Sequence, residues 1–141
     1  MQRGYHIYTV PETSTILISN GCKYPGIHNT ELLLHYEELY TRLQLNIENT
    51  FNAIAEKNMI INKKTIIIYD RGILDVKAYV SETVWYEILN RLQLLEPEIL
   101  KRYHLICDLV SAAVGAPEYF SNANNSARTE TVEEAKELDK R

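Results

Sequence analysis

The residues best suited to chemistry follow the most hydrophobic run of the chain. Residues 65–69 (TIIIY) are rich in β-branched side chains without polar alternation, as in a parallel strand buried on both faces. Asp70 and Arg71 come next, at the carboxyl edge of the predicted sheet, where α/β proteins bind ligands. A carboxylate there can hold a nucleotide's magnesium ion, directly or through water, and a guanidinium can bind phosphate as a fork. Asp70 could equally cap the turn after the strand, so both interpretations stay open.

A second carboxylate follows another predicted strand. Residues 5–10 read as a strand that stops at Pro11, because Pro cannot donate to a central ladder; Pro11 also suits the start of a helix over residues 12–19. Glu12 would then lie near Asp70 across the same edge. Two carboxylates placed this way can divide into a metal ligand and a general base on a substrate hydroxyl. The alternative is that Glu12 only interacts with the dipole of its own helix.

A polar loop near the end of the sequence supplies the third candidate. Residues 124–130 (NNSARTE) precede a charged helix and carry Arg128, which could move onto a phosphate. Loops of this kind close over nucleotides and exclude water. Residues of this segment could instead simply start the helix.

The elements that would position these residues alternate between strands and helices. A long helix is predicted over residues 31–58, a second over 81–95, a strand over 103–110, and a charged last helix over 131–141, capped by Thr129 or Thr131. On the long helix, apolar residues recur at steps of three or four and predict a continuous apolar face: Leu32, Tyr36, Leu39, Leu43, Ile47, Phe51 and Ile54. This order predicts an α/β fold, a parallel sheet flanked by helices.

Composition narrows the class of protein. The formal net charge of −4 argues against a nucleic-acid partner, which would require clustered Lys and Arg. Cys22 and Cys107 lack the spacing of a zinc site, and the polar start has no hydrophobic core of a signal peptide. The longest apolar stretches are far shorter than the roughly 20 residues of a membrane span. We therefore expect a cytoplasmic protein without a membrane span.

Taken together, these segments are similar to one known family. Nearly the whole chain resembles the AAA-type P-loop domain related to NadR-type kinases and to a eukaryotic family of trafficking regulators. The matching segments, in order, are residues 10–15 (VPETST), Gln44 and Glu48 on the long helix, residues 70–75 (DRGILD) with Ala78 and Tyr79, residues 104–115, and residues 124–131 (NNSARTET) continuing to Asp139.

The chain departs from this family at the phosphate-binding loop. The family opens with a strand and a GxxxxGK[ST] loop, whose backbone N–H groups and Lys hold the phosphates. None of the five glycines here is followed in register by Lys-Ser or Lys-Thr. We therefore expect residues 1–141 to be an incomplete P-loop, kinase-like domain that lacks the first strand and phosphate loop, with a lid region over about residues 118–141. A fragment, a truncated gene model or a degenerate copy would each have this pattern.

The resemblance implies a role for each candidate residue. Asp70 would be the catalytic carboxylate that binds magnesium, and Arg71 would contact the substrate or a phosphate. Asp75 would belong to the same substrate site and orient the loop. Glu12 would line the acceptor site as a catalytic residue, and Arg128 would be a catalytic lid arginine. The implied cofactor is Mg²⁺ with ATP or GTP, and the implied partners are the nucleotide and an unidentified phosphate acceptor.

Two functions follow as hypotheses. The first is a nucleotide-binding P-loop domain that carries out phosphoryl transfer or NTP hydrolysis in a complete parent, with this chain alone inactive. The alternative is a non-catalytic fragment or pseudo-enzyme that acts as a nucleotide-sensing or protein-interaction module.

Overall fold

The fold is mixed α/β. A computed structural model of the protein describes residues 4–26, 30–121 and 131–140. The chain divides into two compact units, Met1–Asp75 and Val76–Arg141. Both strands of the described chain lie in the first unit, and the described elements of the second unit are helical.

A small parallel sheet organises the first unit. Strand β1 (Tyr5–Val10) pairs in parallel with β2 (Lys64–Tyr69), in a register that places Val10 opposite Tyr69. Both strands therefore end at the same level. Within the part of the chain that the structure describes, this sheet has only these two strands.

Two helices separate the strands along the chain. Helix α1 (Thr13–Ser19) starts directly after Pro11 and Glu12, and α2 (Thr30–Ile60) runs alongside β2. Both helices were predicted from the sequence, and their existence is confirmed. The long connection through α2 is the kind of crossover that parallel strands require.

The predicted apolar face of α2 is only partly correct, because Phe51 packs against Tyr8 of the sheet while other members of the face are exposed. Leu32 and Leu39 are 55% and 63% exposed. The buried residues of α2 lie on a mostly polar side of the helix instead: Leu33, Glu37, Tyr40, Thr41, Gln44 and Glu48. Successive helical residues turn by about 100°. Apolar residues occupy more than one side of α2, so periodicity alone could not choose the side that packs.

Strand β2 is not buried on both faces, which corrects a second prediction. Ile66 and Ile68 are 42% and 53% exposed, and Ile7 of β1, which pairs in register with Ile66, is 61% exposed. The opposite face packs on α2, where the ring of Tyr8 meets Phe51 edge-to-face at 5.9 Å. One face of the sheet is therefore apolar and not covered by the residues that the structure describes.

The second unit contains five α-helices and one short 3-10 helix (Pro117–Tyr119) among its described residues; the α-helices are α3 (Val76–Tyr79), α4 (Glu82–Leu92), α5 (Glu96–Leu100), α6 (Ala112–Gly115) and α7 (Val132–Leu138). The predicted helix over 81–95 corresponds to α4, with Ser81 as its cap. Helix α7 begins with a capping box between Thr131 and Glu134, so Thr131 is the cap. In no described part of the chain is a helix both long and apolar enough to cross a membrane.

The predicted strand over residues 103–110 is absent. This segment is irregular, and Leu105 and Leu109 are 80% and 85% exposed. A strand needs a neighbouring backbone to pair its N–H and C=O groups. No described strand pairs with this segment, so its apolar composition does not lead to a strand.

Candidate functional site

The carboxyl ends of β1 and β2 bring the sequence-predicted residues to one edge. The N–H of Asp70 donates to the carbonyl of Val10 at 2.9 Å, so the ladder extends one residue beyond β2. Glu12 follows β1 at the same edge and immediately precedes α1. The parallel register thus places Glu12 and the turn after β2 beside each other.

Arg71 lies between two carboxylates at this edge. Its Nε is 2.8 Å from Oε1 of Glu12, and its Nη1 is 3.6 Å from Oδ1 of Asp75. The Glu12 side chain is 17% exposed and that of Arg71 is 40% exposed. Because the Glu12 side chain is mostly buried, dissolved salt weakens this ion pair less than it would weaken a fully exposed pair. The guanidinium is therefore oriented by charges on both sides, with part of its surface open to solvent.

The turn after β2 has an unusual backbone. Arg71 has a φ of 68°, in the left-handed region that non-glycine residues seldom adopt and that often occurs at functional sites. Asp75 stabilises this turn, because its Oδ2 accepts a hydrogen bond from the N–H of Gly72 at 2.6 Å. The N–H of Asp75 in turn donates to the carbonyl of Gly72 at 3.2 Å. Asp75 thus contacts both the backbone of this turn and the side chain of Arg71.

Asp70 has the exposure that a nucleotide-bound metal would require. Its backbone is held by the ladder, and the residue is exposed. No group of three His, Cys, Asp or Glu suited to a metal ion occurs among the residues described. Magnesium commonly uses one or two protein carboxylates together with substrate phosphates and water. An exposed aspartate at this edge is compatible with that mode of binding.

A row of buried polar residues on α2 lies behind this edge. Thr13 Oγ1 donates to Gln44 Oε1, and Gln44 Nε2 donates to Glu48 Oε1 at 3.1 Å. Tyr69 reaches the same helix, where its hydroxyl donates to the carbonyl of Glu48 at 3.4 Å. Buried polar groups cost free energy unless they are hydrogen-bonded. This chain of bonds satisfies side chains from α1 and α2 together.

Three titratable groups of α2 have raised pKa values: Tyr36, Glu37 and Tyr40. Burial raises the pKa of Glu37 to about 7. Burial also raises the pKa of Tyr40, and the nearby charges of Glu12, Glu37 and Asp75 raise it further while Arg71 lowers it. The Tyr40 hydroxyl thus stays protonated near these carboxylates.

Sequence reasoning missed Thr13, Glu37 and Tyr40. A usable signal was present, because Glu37, Thr41, Gln44 and Glu48 recur at steps of four and three along a predicted helix. Such spacing places polar residues on one face. The apolar residues of the same helix recur at similar steps, and the sequence analysis chose their face as the packed one.

Arg128 and most of the segment over 124–131 lie outside the described residues. The predicted lid region over about 118–141 is therefore described only at residues 118–121 and 131–140. The second of these ranges contains α7.

Comparison with protein-family models, with curated proteins and with solved structures finds no match to this chain.

Proposed function

We propose that the protein is a nucleotide-binding domain of the P-loop, kinase-like class, acting in phosphoryl transfer or NTP hydrolysis as part of a complete site. In this proposal Asp70 binds the magnesium of ATP or GTP, Arg71 binds a phosphate and Glu12 receives the proton of an acceptor hydroxyl. Asp75 keeps the turn in the conformation that presents Arg71. Arg128 would contribute from a lid.

The pairing of Glu12 with Arg71 carries this proposal. A carboxylate and a guanidinium, from the ends of two parallel strands, lie 2.8 Å apart at the edge where α/β proteins bind ligands, and the proposal assigns them the roles of general base and phosphate-binding group. The exposed carboxylate of Asp70 precedes Arg71 on the same turn. The left-handed backbone of Arg71 adds support, because such conformations are concentrated at functional sites.

In the proposed chemistry, Arg71 exchanges its ion pair with Glu12 for a phosphate group. A phosphate is a stronger partner for a guanidinium fork than a single carboxylate oxygen, so it can displace Glu12 from Arg71. Glu12, released at the same edge, can then accept a proton from a hydroxyl held beside it. Bound magnesium would neutralise the phosphate charge that develops during transfer.

A second candidate is a non-catalytic interaction module. The 141 residues contain no GxxxxGK[ST] loop, the part of a P-loop domain that holds the phosphates. The uncovered sheet face of Ile7, Ile66 and Ile68 favours this candidate, since exposed apolar patches are often binding surfaces.

Manganese can test the nucleotide proposal, because it replaces magnesium and broadens nearby NMR signals. With Mn²⁺–ATP or Mn²⁺–GTP, we expect selective broadening of the amide signals of residues 70–72. Asp70→Asn should remove that broadening, whereas Asp108→Asn, a change to an exposed aspartate of the second unit, should leave it intact. Broadening that persists in Asp70→Asn, or that never appears at this edge, would refute the proposal.

A further inference from the structure

A chain of buried hydrogen bonds connects α2 to the start of α1. Thr13, Gln44 and Glu48 are 0%, 2% and 1% exposed. Thr13 Oγ1 donates to Gln44 Oε1, so the amide of Gln44 is free to donate from Nε2 to Glu48 Oε1 at 3.1 Å. Gln44 therefore uses both ends of its amide, and a half-turn of the amide would set its Oε1 against Glu48 Oε1 and lose that bond.

This chain ends one residue from the proposed general base. Thr13 is the first residue of α1, and Glu12 precedes it with an extended ψ of 131°. The backbone carbonyl of Glu12 accepts a hydrogen bond from the N–H of Ile16 at 3.2 Å. The side-chain Oε2 of Glu12 accepts a hydrogen bond from the Thr15 hydroxyl at 3.1 Å. The first turn of α1 thus carries the Glu12 carboxylate as a unit. Anchoring Thr13 fixes the position of that turn against α2.

We propose that Gln44 is the positioning residue of the site, holding Thr13 so that the Glu12 carboxylate stays within hydrogen-bonding reach of Arg71. The significance of this role rests on the proposed function of Glu12, but the role itself concerns only the geometry of the unliganded protein. A displacement of about 1 Å in a catalytic group can cost a hundredfold in rate. The need to hold the Glu12 carboxylate in place is a physical reason for burying the hydrogen-bonded chain of Thr13, Gln44 and Glu48.

Thr41 provides a matched control for Thr13. It is also 0% exposed and lies on the same face of α2, but its hydroxyl donates within its own helix, to the carbonyl of Glu37 at 2.7 Å. Thr13→Val and Thr41→Val therefore each remove one buried hydroxyl at nearly constant volume. Only the first interrupts the connection between α2 and α1.

The measurement is solvent exchange of the Arg71 Nε–H proton by NMR, in the full chain without nucleotide. The signal is assigned by its disappearance in Arg71→Lys. Thr13→Val and Gln44→Met should each speed this exchange at least about tenfold, as expected for loss of one charge-assisted hydrogen bond. The double variant should be no faster than either single one, because both act through one contact. Thr13→Ser, which keeps the hydroxyl, should exchange like the unaltered protein.

The controls separate positioning from stability. Thr41→Val should lower the melting temperature without speeding exchange at Arg71. Equal acceleration in Thr41→Val, or unchanged exchange in Thr13→Val, would overturn the proposal. If Thr13→Val does not fold, Gln44→Asn carries the test, because it shortens the side chain by one methylene but keeps its polar atoms; unchanged exchange there is equally decisive. Nucleotide binding plays no part in this readout, so the nucleotide proposal can fail while the positioning role stands.

Discussion

Glu12 and Arg71 come from the ends of two different strands and meet in an ion pair, with Oε1 of Glu12 lying 2.8 Å from Nε of Arg71. Neither residue lies within a strand, yet the parallel register of β1 and β2 determines their distance. The ion pair also holds Arg71 in a left-handed backbone conformation, which residues other than glycine disfavour. Four predictions follow from this edge and the unit that carries it.

The first prediction concerns nucleotide affinity. Residues 1–141 should bind magnesium–ATP or magnesium–GTP no more tightly than about millimolar, because several charge-assisted N–H bonds to phosphate are missing without a GxxxxGK[ST] loop. Isothermal titration calorimetry measures this directly. Micromolar binding would show that another segment of the chain replaces the loop.

The second prediction concerns the backbone of Arg71. At a φ of 68°, Gly is unstrained and Ala is not, so Arg71→Gly should be more stable than Arg71→Ala by about 1 kcal/mol. Both variants lose the guanidinium, so their difference isolates the backbone. Urea denaturation measures the free energy of unfolding.

Arg42 gives the matched control for this comparison. It lies within α2 and pairs with Glu38 at 3.0 Å. There Arg42→Gly should be less stable than Arg42→Ala, by a similar amount, because Gly is a poor helix former. The same sign at both positions would mean that Arg71 does not hold a left-handed conformation in solution.

The third prediction concerns the pH dependence of stability. Burial raises the pKa of Glu37 from its ordinary value of 4.5 to about 7, so the folded protein binds more protons than the unfolded chain between these values. The stability contributed by protonated Glu37 is fully present below about pH 4.5 and is lost as the pH rises to about 7. The loss is on the order of 3 kcal/mol at most.

Glu37→Gln tests this dependence, because its side chain is nearly isosteric with the protonated carboxyl and cannot ionise. The variant should lose the decline in unfolding free energy between about pH 5 and pH 7, measured by urea titrations at several pH values. Glu56→Gln, at an exposed position of the same helix, should keep the decline. A Glu37→Gln variant with the original slope would contradict the assignment.

The fourth prediction concerns self-association. The exposed face of Ile7, Ile66 and Ile68, and a sheet that has only two strands among the described residues, favour pairing between chains. We expect concentration-dependent association, measured by size-exclusion chromatography with light scattering. Changing Ile66 and Ile68 together to Thr should reduce it, since Thr keeps β-branching while adding a polar group.

Leu39 supplies the control for that experiment. It is 63% exposed on α2 rather than on the sheet, so Leu39→Gln removes exposed apolar surface from a different element. Association that falls equally in both variants would indicate general hydrophobicity rather than the sheet face. A monodisperse monomer at all concentrations would contradict the prediction outright.

Local sequence patterns were sufficient for most elements of the fold. The β-branched run over residues 65–69 predicted β2, Pro11 marked the end of β1, and Ser81 and Thr131 marked helix starts. These signals act through steric and hydrogen-bonding preferences of neighbouring residues, so they can be read without tertiary information. The proximity of Glu12 to the turn after β2 followed from the same reasoning, given parallel strands.

Only the tertiary structure decided which patterns were used. Helix α2 carries both apolar and polar rows, and the row that includes Gln44 and Glu48 is buried in the tertiary structure. Residues 103–110 have the composition of a strand but remain irregular, because a strand forms only when another backbone is present to pair with it. The left-handed turn at Arg71 likewise depends on Glu12 from β1's end and on Asp75. The contacts of Gln44 with Thr13 and of Arg71 with Glu12 join residues far apart in sequence, and a local pattern contains no information about which distant partner will be there.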